Sequence, residues 1–220
     1  VVLSVNRMDQ VMRVDPERLF AWVQPGLVNL WLSEQLAPHR LYYAPDPASQ
    51  QVSTLGGNVA TNAGGPHCLK YGVTLNHVLG ITVVLYDGVV VTLGGESCDA
   101  PDYDLASVVI GSEGTLGIAT EICVRIMPKP EAVKTMLFDF TTVEAACRTV
   151  SAVIADGIVP AAMEIMDQHT VQLVEDWLHL GLARDAAAVL LIEVDGPAVS
   201  LAAQVEKIAA HAVAQGARST

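Results

Sequence analysis

Apolar and polar positions alternate in short runs over the first half of the chain and recur at helical spacing over the last third. Val78 to Tyr86 is a β-forming run, and Val89 to Leu93 returns after Asp87-Gly88. That pair suits a type I′ hairpin, whose two central positions both need positive φ. Gln10–Val14 and Leu19–Gln24 flank Asp15-Pro16-Glu17-Arg18 and predict another hairpin, with Pro25-Gly26 as the break. Asn29–Leu36 predicts a helix, with Leu32 and Leu36 on one face beside Trp31 and Pro38 as its stop. Leu105 to Ile110 leads into a glycine-rich loop, and Ile118–Ile126 alternates as a further strand. Met127-Pro-Lys-Pro130 cannot continue a sheet interior, which puts a boundary there.

Beyond the boundary the period lengthens. Val133–Phe140 predicts a strand. Thr141 and Glu144 have capping-box spacing, Val143, Cys147, Val150 and Ile154 form a stripe, and Gly157 ends the helix. Asp167 can cap a helix through Leu180, with Val171, Val174 and Leu178 inward and Gly181 as the stop. Ala188–Val194 predicts a buried strand, and Pro197 opens a last helix with Leu201, Val205, Ile208 and Ala212 aligned up to Gly216. This order predicts an α+β layer with its helices on one sheet face.

Composition narrows the function. Apolar residues make up 51% and charged residues 16% of the 220, which argues for a packed core and against disorder. The net charge of −12 has no basic cluster to offset it, so a nucleic-acid footprint is not expected. Cys68, Cys98, Cys123 and Cys147 form no CxxC pair and read as buried small residues rather than metal or iron–sulfur ligands. His39, His67, His77, His169, His179 and His211 read as surface or turn residues, with His67 kept open by its position. Lys70 reads as solvated, and Trp177 as core. Asp99, Asp102 and Asp104 read as a solvated loop around Pro101, so no metal site is expected. The longest apolar run, Ala186–Ile192, is too short to span a bilayer, and cytosolic thiols are the default. The chain opens without Met and stops after a helix-ending glycine, as a piece of a longer protein would.

Candidate chemistry sits in two glycine-rich stretches. Gly56-Gly57 and Gly64-Gly65 bracket small and amide residues, and Gly111-Ser-Glu-Gly114-Thr-Leu-Gly117 repeats the theme. Neither the dinucleotide fingerprint nor a P-loop occurs. The residues alone leave two readings open: turns in a β-rich domain, or two loops whose N–H groups cradle one extended, phosphate-bearing cofactor.

Pro45-Asp46-Pro47, the run Ser53–Gly65, Lys70-Tyr71-Gly72 and Gly111–Ile118, spaced in that order, resemble the FAD-linked oxidases of the vanillyl-alcohol-oxidase type. Within them the likeness is greatest to glycolate oxidase flavin subunits and D-lactate dehydrogenases. The resemblance implies the second subdomain of a PCMH-type FAD-binding domain over residues 1–130. The first part of a ferredoxin-like α+β cap, the substrate domain, would follow over 131–220. It implies that Pro45, Ser53, Thr54, Gly57, Asn58, Thr61, Asn62, Gly64 and Gly65 lie along the cofactor. Glu113, Gly114, Gly117 and Ile118 would serve its pyrophosphate–adenosine side. The implied activity is hydride transfer from a small 2-hydroxy acid to FAD, with a basic side chain outside this sequence taking the hydroxyl proton. The implied partners are iron–sulfur and second flavin subunits, and the implied location is cytoplasmic or peripheral at the inner membrane through them. The alternative is a non-catalytic FAD-binding or interaction module.

Overall fold

A computed structural model describes residues 3–97 and 103–218. The chain divides into two compact units, Val1–Lys129 and Pro130–Thr220.

The first unit is built on a five-stranded antiparallel sheet of β1 (Val11–Asp15), β2 (Phe20–Val23), β4 (Val78–Val84), β5 (Val90–Gly94) and β6 (Ile118–Arg125), in the order β1-β2-β6-β4-β5. Helices α1 (Asn29–Leu36), α2 (Leu55–Thr61) and α4 (Leu105–Val109) bury Leu32, Leu36, Leu55, Val59 and Ala106 against sheet residues such as Ile81, Val83, Ile122 and Val124. Trp31, on the other side of α1, is 48% exposed. Two-residue strands β3 (Leu41–Tyr42) and β7 (Met127–Pro128) pair at the unit's end, and the short helix α3 (Cys68–Tyr71) lies between α2 and β4. The Asp87-Gly88 hairpin forms, but only Gly88 has positive φ, at 83°. Leu85 N–H donates to the Val89 carbonyl, so the connection is a longer loop than a type I′ turn. The first glycine stretch also departs from expectation, because most of it is the helix α2 rather than a loop.

In the second unit β8 (Ala132–Phe140), β9 (Ala162–Asp167) and β10 (Ala188–Gly196) form an antiparallel sheet in the order β8-β10-β9. β9 has no counterpart among the predicted strands. Helices α5 (Val143–Ala155) and α7 (Ala198–Ala214) cover the face carrying Phe138, Phe140, Leu190 and Ile192. Val171 of α6 (Gln168–Leu178) packs on Val189, Leu137 and Met166, which alternate onto the opposite face. Helices therefore occupy both faces, not one.

The α7 stripe is as predicted, with Leu201, Ile208 and Ala212 fully buried. The α5 stripe is not. Thr142, rather than Thr141, caps the helix through Ala145 N–H, and Ala145, Ala146, Thr149 and Val153 turn inward. Val143 and Ile154 are 42% and 40% exposed, and Cys147 is exposed as well. The alanine face lets α5 lie close to its neighbours, which outweighs burying three larger side chains. On α6 Asp167 caps as predicted, but the helix stops at Leu178, where Leu178 and Trp177 are 63% and 85% exposed. Of the cysteines, Cys123 is buried, Cys68 is half-buried, and Cys98 lies outside the described residues. Asp99 and Asp102 lie there too, while Asp104 caps α4 through Ser107 N–H.

Candidate functional site

The first glycine stretch is laid against the Pro25–Leu27 turn. Thr54 is extended and its Oγ1 accepts from Gly57 N–H at 3.2 Å, starting α2. Leu55 N–H donates to Leu27 O at 2.9 Å, and Gly56 N–H to Pro25 O at 2.8 Å. A Cβ on Gly56 would lie 2.6 Å from Pro25 Cβ, so only glycine permits this approach. With Asn58 N–H bonded to Thr54 O, the first amides of α2 all have intramolecular acceptors. They do not form the anion-cradling nest expected of them.

The polar side chains of this stretch are engaged likewise. Asn58 Nδ2 donates to Asn29 Oδ1 at 2.9 Å, and Asn29 Nδ2 donates to Pro45 O at 2.9 Å, which fixes the Pro45 segment. Both asparagines are buried. Thr61 Oγ1 donates to Gly57 O at 3.1 Å. Asn62 ends α2 in the left-handed region (φ 48°), and its Oδ1 accepts from Leu75 N–H at 2.9 Å. Gly65 packs so tightly on the Asp46 carbonyl that no side chain would fit, and Asp46 Oδ2 stands 2.5 Å from His67 Nδ1. Gly64 faces Cys68, whose Sγ accepts from Gly65 N–H at 2.9 Å. Lys70 Nζ lies over the Tyr71 ring. Ser53 Oγ is buried without a hydrogen-bond partner.

The second stretch docks on carbonyls at the end of α2. Gly111 N–H donates to Val59 O and Glu113 N–H to Ala60 O, each at 2.8 Å. Gly111, Glu113 and Gly114 all take positive φ. Thr115 bonds back to Ser112 O through both N–H and Oγ1. Gly117 packs on β4, where a Cβ would lie 2.5 Å from Val83 Cγ1. The amides of Gly114, Leu116 and Gly117 have no hydrogen-bond partner among the described residues.

Between the two stretches runs an open cleft of about 340 Å³. Thr54, Gly57 and Ala60 form one wall, Ser112, Gly114, Gly117 and Ile118 the other, and Val59, Val109 and Ala119 the base. Among the described residues no charged side chain lines it. Of the residues assigned to the cofactor, Thr54, Gly57, Gly114, Gly117 and Ile118 meet here. Pro45, Ser53, Asn58, Thr61, Asn62, Gly64, Gly65 and Glu113 lie outside its lining. Pro25, Gly56, Ala60 and Ser112 line it without having been singled out. Gly56, Ala60 and Ser112 were legible as members of the two stretches, and Pro25 only as the break after a strand.

Behind the Ala63–Gly65 end stands a buried polar group. Burial raises the Tyr43 phenol well above its usual range, against an opposing bond from the Thr74 side chain. His77, read as a surface or turn residue, stands in a 3₁₀ turn but is buried at 2% exposure, and burial lowers its pKa. Elsewhere in the unit Arg18, Glu96 and Arg125 line a second depression of about 490 Å³. Burial pushes Glu96 up there, but Trp22 Nε1–H, Arg13 and Arg18 outweigh it and hold the carboxylate below its ordinary range. Burial, aided by the Glu96 charge, pushes the Cys123 thiol up to about 12, so it is no nucleophile.

Residues 1–94 match the FAD binding domain family, and residues 129–220 match the C-terminal domain of FAD linked oxidases. The glycolate oxidase subunit GlcD of Escherichia coli K12 is 46% identical over 89% of this chain and 39% of its own length. The Bacillus subtilis protein of that name is 45% identical over 96% of this chain and 45% of its own. A D-lactate dehydrogenase of Anaerostipes hadrus is 36% identical over 81% of this chain and 38% of its own. Among solved structures, alkyldihydroxyacetonephosphate synthase superposes with a TM-score of 0.82 at 25% identity, over 96% of this chain and 41% of that one. The chain thus spans roughly two fifths of the length of these relatives. It belongs to the FAD-linked oxidases, whose cofactor is FAD.

Proposed function

We propose that this chain supplies cofactor-holding walls of an FAD-dependent oxidoreductase that oxidises a small 2-hydroxy acid of the glycolate or D-lactate kind. The observation that carries the reading is the uncharged cleft between α2 and the Gly111–Ile118 stretch, lined by small residues and bordered by open amides. It fits FAD on the structure's own terms. A Cβ on Gly114 would meet nothing within 4 Å, and one on Gly57 would meet only Thr54 Oγ1, so both expose bare backbone to the cleft. Gly114, Leu116 and Gly117 would offer N–H donors to phosphate or ring acceptors, and Ser112 a hydroxyl. The aliphatic base would pack on a flat ring system. When bound, FAD would supply the two-electron acceptor for the hydrogen leaving the substrate Cα. The residues of this chain bind and orient, and the side chain that takes the hydroxyl proton is outside it.

On this reading residues 1–130 are the FAD-binding part and 131–220 part of the substrate domain. The GlcD relatives are each named a subunit, which supports an assembly with further subunits, here iron–sulfur and second flavin proteins. Among the described residues no helix is long and apolar enough to cross a membrane. The location that goes with this reading is the cytoplasm, or the inner membrane through such partners.

The test is anaerobic. The protein expressed from its full reading frame should hold FAD, and glycolate or D-lactate should bleach the visible flavin bands. Flavin that binds but stays oxidised with both acids would support the non-catalytic module instead. Failure to take up added FAD would refute the oxidoreductase and the FAD-binding module alike and leave only the interaction module.

A further inference from the structure

His77 Nδ1 is buried with no hydrogen-bond partner. Nε2 lies 2.8 Å from the Tyr71 carbonyl, which can only accept, so the single ring proton sits on Nε2 and Nδ1 carries a bare lone pair. Tyr43 meets the ring edge-on with centroids 6.0 Å apart, and the charge of Arg125 opposes a second proton. None of these groups accepts from Nδ1, so a proton placed there would be a buried, unpaired charge.

From His77 a short chain of contacts reaches the first glycine stretch. Thr74, fully buried in the same 3₁₀ turn, gives both its N–H (3.0 Å) and its Oγ1 (2.8 Å) to Ala63 O. Leu75 N–H holds Asn62 Oδ1 at 2.9 Å. The Tyr71–His77 turn is thus what the Asn62–Gly65 segment rests on.

We propose that His77 is a positioning residue for the end of α2, the helix whose Gly57, Val59 and Ala60 line the cleft: neutral, it locks the turn that holds Asn62 and Ala63, and protonation opens that turn, releases the end of α2 and loosens FAD. This rests on reading the site as an FAD site. Burial sets the ring's pKa below that of an ordinary histidine, the Tyr71 carbonyl opposes in part, and Arg125 adds to the lowering. The open turn takes up a proton where the closed one does not. The closed form therefore has its full advantage above an ordinary histidine value of about 6.5 and loses it as pH falls below that.

FAD affinity measured by flavin fluorescence from about pH 8 to about pH 5 should be constant at the upper end, then weaken towards about tenfold per pH unit. His77→Gln keeps a neutral donor for the Tyr71 carbonyl and should bind as the wild type does at pH 8, with a flat profile. Without FAD, amide-exchange protection of Thr74 and Leu75 should fall over the same range in the wild type and not in the variant. A flat wild-type profile in both measurements, or equal dependence in H77Q, overturns the proposal. Should H77Q fail to fold, the wild-type ring titration by NMR decides, and a His77 pKa at or above the ordinary value overturns it. No FAD binding at pH 8 contradicts the functional reading. Acid-sensitive amide protection would then leave the lock standing and remove its cofactor role.

Discussion

The two glycine stretches look alike in sequence and serve opposite ends in the fold. In the first, Leu55, Gly56, Gly57 and Asn58 give their amides to Leu27, Pro25 and Thr54, and Asn58, Thr61 and Asn62 spend their side chains on Asn29, Gly57 and Leu75. In the second, Gly111 and Glu113 anchor the stretch to α2, while Gly114, Leu116 and Gly117 keep their amides open. Both line the cleft, but the first does so with its amides already bonded within the fold, and on the proposed reading the second brings the open amides to the cofactor. A glycine can serve close packing or ligand approach, and composition does not distinguish them.

Substitutions can break that contrast. The largest effect should come from Asn58→Ala, which strands the buried Asn29 carboxamide and should cost up to about 3 kcal/mol in urea denaturation. A double-mutant cycle with Asn29→Ala should show the two costs strongly coupled, and additive costs would break the contrast. Gly56→Ala pushes a methyl into Pro25 and should cost about 2 kcal/mol, with FAD affinity falling no further than that stability loss accounts for. Gly114→Ala meets nothing, so only its left-handed φ of 74° is penalised, by about 1 kcal/mol. Here FAD affinity should fall by more than the stability loss explains. The smallest effect should be Glu113→Gly, which relieves a φ of 53° and should raise stability by at most about 1 kcal/mol, read as a shift in Tm.

Much of this was legible because the pattern had one dominant cause. Leu201, Ile208 and Ala212 share a face of α7 and are buried there, and the runs Val78–Tyr86 and Ile118–Ile126 contain strands β4 and β6. The failures mark competition between causes. On α5 two stripes were available, and the small-residue face won because a close approach to the sheet favours alanine. Leu55–Thr61 read as a loop because two glycines weaken helix propensity, yet Thr54 and the Pro25–Leu27 carbonyls supply the start of the helix. The site was legible as two stretches but not as a cleft. The partners that occupy Asn58 and Asn62 lie 29 and 13 residues away in sequence, and short-range spacing does not reveal them. His77 does stand in a turn, one of its two readings, but its burial is not legible from spacing because the ring it packs on, Tyr43, comes from a distant element.

The most direct test of the contrast is an amide NMR titration of the protein with oxidised FAD. The amides of Gly114, Leu116 and Gly117 should shift most, and those of Leu55 to Asn58, already bonded within the fold, should shift little. Largest shifts at Leu55–Asn58, with Gly114–Gly117 unmoved, would contradict the account.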